Sequence, residues 1–188
     1  EHMDTPLPPQ DGRFREPTDV AIDSAGNIYI TDGYINSRVA KYDYNGDWVR
    51  SWGGPGSGPG QFRLPHSIAI DKDDNVYVGD RSNARIQVFD TDGTYLREFQ
   101  VATPVRPGSM AVNGPTPTDL TEVSANGAPN ALCIPKGSDV IFVGETTFPG
   151  RIIKATLQGE VLGVIGNSGR NPGEFSGAHG LACPSEDV

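Results

Sequence analysis

The chain has 188 residues, which is enough for one sizeable core or two small ones. It carries 24 Asp and Glu residues against 15 Lys and Arg residues, and this acidic balance argues against a surface that binds nucleic acid or anionic membranes. No apolar run approaches the roughly 20 residues of a membrane helix, so no membrane span is expected. The 24 glycines and 16 prolines favour many short strands joined by turns over helices.

Four segments along the chain open in a similar way. "GRFREPTDVAID" starts at Gly12, "GQFRLPHSIAID" at Gly60, a weaker "NGAPNALCIP" at Asn126, and "GEFSGAHGLACP" at Gly173. The first three openings are each followed by three more short apolar strands, such as "NIYITD", "SRVAKYD" and "WVRSWG" in the first unit. Asn-Gly and Asp-Gly stand at the tight turns because they tolerate positive φ. Each complete unit is therefore predicted to be a four-stranded antiparallel meander.

Meanders that repeat roughly every 50 residues are typical of β-propeller blades. The predicted fold class is all-β, with about three and a half blades, and a ring needs at least about four blades to close. The missing blades are expected to come from the rest of a longer protein or from another copy of the chain. The predicted divisions are a ragged N-terminal segment (1–11), blades (12–53, 60–100 and 131–166), a long loop (101–130) and the start of an incomplete blade (173–188).

The long loop of residues 101–130 is rich in Pro, Thr and Gly and shows no strand pattern. Loops of this length are usually either functional or disordered, and both interpretations remain open. The two cysteines, Cys133 and Cys183, fall one position apart in the repeat alignment, so they would face opposite sides of their strands. Two buried thiols are therefore expected, with a disulfide as the alternative.

One position of the repeat is expected to line the central channel, because the first strand of each propeller blade lies there. This slot holds Thr18, His66, Asn130 and His179. Two histidines in one slot are able to meet on the axis, and neutral imidazole is a standard zinc ligand. Catalytic zinc sites use three protein ligands, of which this chain would supply two. The alternative is that both histidines are polar channel residues bound by water.

Tyr34 and Arg81 occupy the turn after the second strand of their blades, near the expected channel mouth. The turn that holds Tyr34, "TDGYINSRV", is one residue longer than its repeat partner, "GDRSNARI". A phenol close to a cation is able to act as a general base, and an arginine fork suits a substrate carboxylate. Spacing alone favours the simpler alternatives, a packed aromatic ring and a solvated charge.

Two further repeat positions carry charged residues in each complete blade. A residue present in every blade is more easily explained by a structural role, such as hydrogen bonding in turns or between blades. These residues are Arg38, Arg85 and Arg151 before the third strand, and Asp32, Asp80 and Glu145 at the end of the second strand.

With these residues in place, the sequence resembles the NHL-repeat propellers, and among them the peptidyl-α-hydroxyglycine α-amidating lyase family. The resemblance is most specific in "PTDVAID…DGYINSR" and "GPGQFRLPHSIAID…DRSNARIQ". It implies a six-bladed propeller with a catalytic zinc held by three histidines, which cleaves a peptidyl-α-hydroxyglycine to a peptide amide and glyoxylate.

The resemblance also implies roles for individual residues. Tyr34 matches the proposed general base, and Arg81 matches an arginine that contacts substrate. His66 and His179 match zinc ligands, and Ile68 would offer its backbone carbonyl to a structural Ca²⁺. The expected partner is a small peptide-like substrate or a protein ligand, and the family favours a secreted or periplasmic location.

The chain departs from the family pattern at several points, two of which concern the metal sites. The first zinc histidine of the family lies in a blade upstream of this chain, and Gly180 stands where the family has an aspartate near the calcium. The predicted function is thus a zinc-dependent lyase-like propeller, either active or an incomplete, inactive fragment. The alternative is a non-catalytic NHL propeller that binds peptide, protein or carbohydrate, because the fold alone does not decide between these functions.

Overall fold

The computed structural model describes residues 10–112, 116, 126–146 and 148–184. Most of the predicted N-terminal segment and part of the long loop therefore lie outside the described residues, as do residues 185–188 at the end of the predicted last blade. Within the described ranges no helix has the length and apolar character needed to cross a membrane. The strands are β1 (Asp19–Ile22), β2 (Ile28–Asp32), β3 (Arg38–Tyr42), β4 (Trp48–Gly53), β5 (Pro65–Ile70), β6 (Val76–Asp80), β7 (Arg85–Phe89), β8 (Tyr95–Phe99), β9 (Pro129–Cys133), β10 (Val140–Glu145), β11 (Ile152–Thr156) and β12 (Val161–Ile165), with a 3₁₀ turn at Arg81–Asn83.

The strands form three four-stranded antiparallel sheets, in the orders β1-β2-β3-β4, β5-β6-β7-β8 and β9-β10-β11-β12. Each sheet is an uninterrupted meander, so the predicted all-β fold of propeller-type blades is confirmed. The first strands of the three sheets lie side by side, because β5 contacts both β1 and β9. Residues at the start of these inner strands therefore converge on one region of the molecule.

Two apolar clusters fill the spaces between neighbouring blades. Such burial is the main favourable term in folding, and a single blade is unable to cover both of its faces. The cluster between the first and second blades includes Tyr29, Val39, Phe62, Ile68, Val78 and Phe89. The cluster between the second and third blades includes Ala69, Tyr77, Ile86, Leu132, Ile141 and Ile153.

The outer faces of the first and third blades carry exposed apolar side chains. Val20 and Ile22 on β1 are 56% and 63% exposed, and Leu162 and Ile165 on β12 are 51% and 47% exposed. These side chains are of the type that the neighbouring blades bury against one another. Their exposure agrees with the expectation that further blades complete the ring.

Each blade contains one buried ion pair that joins its third strand to its second. Arg38 bonds Asp32 at 3.0 Å, Arg85 bonds Asp80 at 3.0 Å, and Arg151 bonds Glu145 at 2.8 Å. The arginines also donate to backbone carbonyls in the segment that leads into their own blade, including Gln10, Ser57 and Pro104. The recurring charges thus hold each lead-in segment against its sheet, which is a structural role.

Asp23 organises the turn between β1 and β2. Its carboxylate accepts hydrogen bonds from the backbone of Ala25 and Asn27, from the Asn27 amide and from the Tyr29 hydroxyl. Burial alone would raise the pKa of Asp23, but these hydrogen bonds outweigh it and lower the pKa below the ordinary value of 3.8. The stabilisation from this carboxylate is therefore present above that value and is lost as the pH falls through the lowered pKa.

Replacing Asp23 with asparagine is expected to lower the free energy of unfolding by roughly 1–3 kcal/mol at neutral pH, since hydrogen bonds to a charged acceptor are lost. The difference from the unmodified protein should shrink as the pH falls below the ordinary carboxyl pKa. Urea unfolding at several pH values measures this difference in the free energy of unfolding. Asp11→Asn, at an exposed carboxylate, is the control. A difference that stays constant with pH would contradict the assigned role of the charge.

Cys133 and Cys183 form a disulfide, with Cα atoms 6.0 Å apart, so the prediction of two buried thiols is wrong. That prediction assumed that both cysteines lie on regular strands. Cys133 ends β9, but residues 177–184 form no strand, and side-chain alternation therefore does not apply to Cys183. The bond fastens the segment that carries His179 to the inner strand of the third blade.

Candidate functional site

A cavity of about 210 Å³ lies where β1, β5, β9 and the segment around His179 meet. The four residues of the predicted channel slot, Thr18, His66, Asn130 and His179, all line it. His66 and Asn130 each occupy a point where the register of the inner strand shifts by one residue against its neighbour. Such β-bulges redirect a side chain and are common beside active sites. The bulges explain why these two side chains point into the cavity.

His66 is 2% exposed and its orientation is fixed by one hydrogen bond. Its Nδ1 lies 2.7 Å from the backbone oxygen of Asn130, which is only able to accept, so Nδ1 carries the proton. Nε2 is therefore the nitrogen that carries the lone pair in the neutral ring. Burial lowers the pKa of His66, and the positive charge of Arg81 and the neighbouring His179 lower it further, against the opposing effect of the Asn130 bond. The structure thus favours the neutral imidazole.

The rings of His66 and His179 lie close together, with centroids 5.1 Å apart and planes at 78°. Two imidazoles on one tetrahedral Zn²⁺, with bonds of about 2.0 Å, have ring centres roughly 5 Å apart, so this separation fits a shared ion. A histidine that donates its other ring nitrogen to a carbonyl, as His66 does, is also typical of metal ligands. Among the described residues, no third His, Cys, Asp or Glu joins this pair to complete a metal-binding cluster.

Tyr34 and Arg81 lie at the same site. The Tyr34 hydroxyl is 3.4 Å from His66 Nε2, and the two rings meet edge to face at 5.9 Å. The guanidinium carbon of Arg81 is 5.8 Å from the centre of the Tyr34 ring. Tyr34 is 49% exposed, so a ligand is able to reach it from solvent. The structure therefore brings together the phenol, the arginine and both histidines that the sequence singled out.

The longer first turn accounts for the position of Tyr34. Both turns end in a left-handed residue, Ser37 and Ala84 with φ of 49°, immediately before the buried arginine. The second turn folds into the compact 3₁₀ turn, whereas the first holds its extra residue between Asp32 and Ser37. Gly33 passes so close to the second blade that a Cβ there would lie 2.1 Å from the Pro65 oxygen. This contact places the next residue, Tyr34, directly beside His66.

Replacing Gly33 with alanine is expected to push the turn away from Pro65, because a backbone oxygen is unable to move aside cheaply. We expect a loss of roughly 1–3 kcal/mol in the free energy of unfolding, as for other overpacked sites. Denaturant unfolding measures the loss, and the NMR cross-peak between Tyr34 and His66 should weaken. The matched control is Gly163→Ala on β12, where no atom lies within 4 Å of the added carbon. Equal effects of the two changes would contradict the close contact.

The backbone edge of β5 contributes to the cavity through Ile68. Its amide donates to the Asp19 carboxylate at 3.0 Å instead of to β6, so its backbone groups point away from the rest of the sheet. Burial raises the pKa of Asp19, and the bonds from Ile68 and Val20 only partly offset this effect. Asp19 was not singled out by the sequence. The one feature of the sequence that could have pointed to it is its position directly after Thr18, the residue in the channel slot.

Comparison with known proteins gives these blades a family context. The NHL repeat model matches residues 14–42 and 62–89, which include Tyr34, His66, Ile68 and Arg81 but not His179. The chain contains NHL repeats. One solved structure that resembles it, the WD40 repeats of RRP9, has a TM-score of 0.53 at 15% identity over 82% of this chain and 40% of that chain. A further similar structure, hydrazine synthase from Kuenenia stuttgartiensis, has a TM-score of 0.61 at 14% identity over 96% of this chain and 40% of that chain, which shows a shared fold alone.

Two curated relatives of these NHL repeats have informative names. The chain is 43% identical over 97 residues to peptidylglycine alpha-amidating monooxygenase from Rattus norvegicus, covering 48% of this chain and 10% of the relative. It is 50% identical over 34 residues to the probable peptidyl-alpha-hydroxyglycine alpha-amidating lyase from Caenorhabditis elegans, covering 18% of this chain and 10% of the relative. The chain thus spans about a tenth of the length of these curated relatives.

Proposed function

We propose that this NHL propeller segment carries part of the active site of a zinc-dependent lyase. Its substrate would be a peptidyl-α-hydroxyglycine, which it would cleave to a peptide amide and glyoxylate. The observation that supports this proposal is the arrangement of four side chains at one place. His66 and His179 line one cavity with their rings in contact, Tyr34 contacts His66, and Arg81 contacts the Tyr34 ring. The names of the amidating relatives support it independently of that geometry.

In this proposal each residue of the site has a separate task. Tyr34, in its phenolate form, would accept the proton of the substrate hydroxyl, and its oxygen lies 3.4 Å from His66 Nε2, beside the residues that would hold the ion. Arg81 binds the substrate carboxylate through the guanidinium nitrogens that Asn130 does not engage. The C–N bond then breaks, its electron pair goes to the amide nitrogen, and the C–O bond becomes the carbonyl of glyoxylate. The nitrogen takes up one proton for the one that Tyr34 removed, so the reaction needs neither water nor a redox partner.

His66 and His179 are the residues that would hold Zn²⁺, with a third ligand from a further blade of the ring. When bound, Zn²⁺ supplies a Lewis acid that favours loss of the hydroxyl proton. A structural Ca²⁺ at the Ile68 carbonyl is a secondary proposal, because Ca²⁺ prefers oxygen ligands and the Asp19 carboxylate adjoins this residue. Gly180 brings no side-chain oxygen to that place, so Ca²⁺ would need ligands beyond these two.

The location that fits this function is a secreted or periplasmic one. The Cys133–Cys183 disulfide supports this proposal, because such bonds persist mainly in oxidising compartments. The partner would be a small peptide with a C-terminal α-hydroxyglycine. The apolar outer faces at Ile22 and Leu162 would be covered by the remaining blades of the ring.

The test combines metal retention with product release. The purified protein with its complete ring of blades, which would include the one that supplies the third ligand, is dialysed against Zn²⁺ and then against buffer. It should retain about one ion per chain, as expected for a single zinc centre. His66→Ala and His179→Ala should each lose the ion, whereas His2→Ala, which changes the third histidine of the chain, should keep it. Tyr34→Phe should retain zinc but release glyoxylate from an α-hydroxyglycine peptide about 10²–10⁴-fold more slowly, the usual share of a general base.

Retention of zinc with loss of glyoxylate release in Tyr34→Phe would support the lyase. A protein that retains no zinc and releases no glyoxylate would overturn it. If that protein still bound the peptide, and Arg81→Met weakened the binding, the non-catalytic propeller would be the correct function.

A further inference from the structure

We infer that Asn130 is the positioning residue that sets His66, Arg81 and the His179 segment in their relative places. The inference rests on the proposed function, since it concerns the geometry of the same site. Asn130 is 6% exposed and is the residue at which β9 shifts its register against β10. Three separate elements of the site hydrogen-bond to this one residue.

The backbone of Asn130 holds His66. At the bulge its carbonyl is turned away from the ladder and accepts the Nδ1 proton of His66 at 2.7 Å. This bond fixes both the tautomer and the direction of the ring. It depends on the course of β9 and not on the side chain at position 130.

The side-chain amide of Asn130 binds Arg81 through its oxygen and the His179 segment through its nitrogen. Its Oδ1 accepts from Arg81 Nη1 at 3.2 Å, and its Nδ2 donates to the Ala178 backbone oxygen at 3.0 Å. A guanidinium is only able to donate and a carbonyl only to accept, so the amide fits in one orientation alone. An aspartate here would accept from Arg81 but repel the Ala178 oxygen, because it has no N–H to donate. An apolar residue would make neither hydrogen bond.

The contact with Ala178 matters because His179 is the next residue. Residues 177–184 form no strand, so no ladder of backbone hydrogen bonds fixes this histidine. The segment is held on one side by Asn130 at Ala178 and on the other by the disulfide at Cys183. Gly144 on β10 leaves the space that the Ala178 side chain occupies, since a Cβ there would lie 2.8 Å from it. Asn130 therefore controls the approach of His179 to His66.

The test compares Asn130→Asp and Asn130→Ala with the unmodified, metal-free protein by NMR. Both variants keep the backbone carbonyl, so the Nδ1–H signature of the His66 tautomer should persist. The cross-peak between the His66 and His179 rings should be lost in both, because neither side chain donates to Ala178. The Arg81 side-chain signals should stay near their original positions in Asn130→Asp and shift in Asn130→Ala. Asn171→Asp is the matched control, since this exposed asparagine lies in the same part of the chain and its side chain bonds Glu174.

A purely structural role would disturb the His66 tautomer and the ring contact together, and that result would overturn the inference. So would a ring cross-peak of unchanged strength in both variants. If Asn130→Ala does not fold, Asn130→Asp, which preserves side-chain volume, decides the question. With Zn²⁺ added, Asn130→Asp should bind the ion about 10–100-fold more weakly, the usual effect of losing an outer partner of a metal site. Because the NMR comparison is made without metal, a protein that binds no zinc would refute the lyase proposal while the positioning result would still be obtained.

Discussion

Replacing Arg151 with methionine is expected to lower the free energy of unfolding by about 3–5 kcal/mol, because it leaves a buried carboxylate without its partner. Arg151 and Glu145 are 1% and 0% exposed at their side chains and lie 2.8 Å apart. The arginine also bonds the Pro104 carbonyl and the Asn126 amide oxygen, so its loss releases the segment that leads into the third blade. Denaturant unfolding followed by circular dichroism measures the change.

The matched control is the double variant Arg151→Met with Glu145→Gln, which removes both charges together. It should cost much less than the single change, since replacing a whole buried pair by neutral groups is often nearly neutral. A single variant as stable as the double variant would show that the charge of Glu145 is not held by Arg151. The corresponding change in the second blade, Arg85→Met, should behave alike because the same geometry recurs there.

The second large effect is expected from the disulfide. Replacing Cys133 and Cys183 with alanine removes a cross-link between residues separated by 50 positions. The chain-entropy model gives a loss of about 4 kcal/mol in stability for a loop of this size. The loss should be accompanied by release of the His179 segment, which the described residues hold chiefly through this bond and the Asn130 contact.

Thermal unfolding with and without a reducing agent gives the measurement. The reductant should lower the melting temperature of the unmodified protein to that of the double alanine variant and leave the variant itself unchanged. An unmodified protein that melts at the same temperature in both conditions would refute the predicted contribution. Asn130→Asp combined with the double alanine variant should detach His179 further than either change alone, because the two anchors lie on opposite sides of it.

The blades and the members of the site were predictable because both follow from the repeat. The meander is predicted directly by the Gly-x-Phe openings, the Asn-Gly and Asp-Gly turns and the alternating strands. Alignment of the repeats on these openings was enough to put His66 and His179 in the same slot, and the structure places both in one cavity. Tyr34 and Arg81 were singled out by their place in equivalent turns, although spacing alone favoured a packing role for Tyr34.

What the sequence did not predict depends on exceptions to that regularity. Cys183 lies in a segment without strand pairing, and alternation along a strand therefore gave the wrong answer for the disulfide. The bulges that redirect His66 and Asn130 are single-residue shifts of register, and no residue type marks them. Asn130 stood in the channel slot but offered no recognisable chemistry, because its importance comes from the three partners that surround it.

The channel slot also bears on how such a ring changes during evolution. Thr18, His66, Asn130 and His179 occupy one repeat position, yet together they bring a hydroxyl, an amide and two imidazoles to the same cavity. The buried arginine–carboxylate pairs that stabilise the blades lie elsewhere in the repeat and are the same in kind throughout. A point substitution in the slot of one blade thus alters the site without touching the core of that blade. Duplicated blades are in this way free to diverge in chemistry one residue at a time while the fold is inherited unchanged.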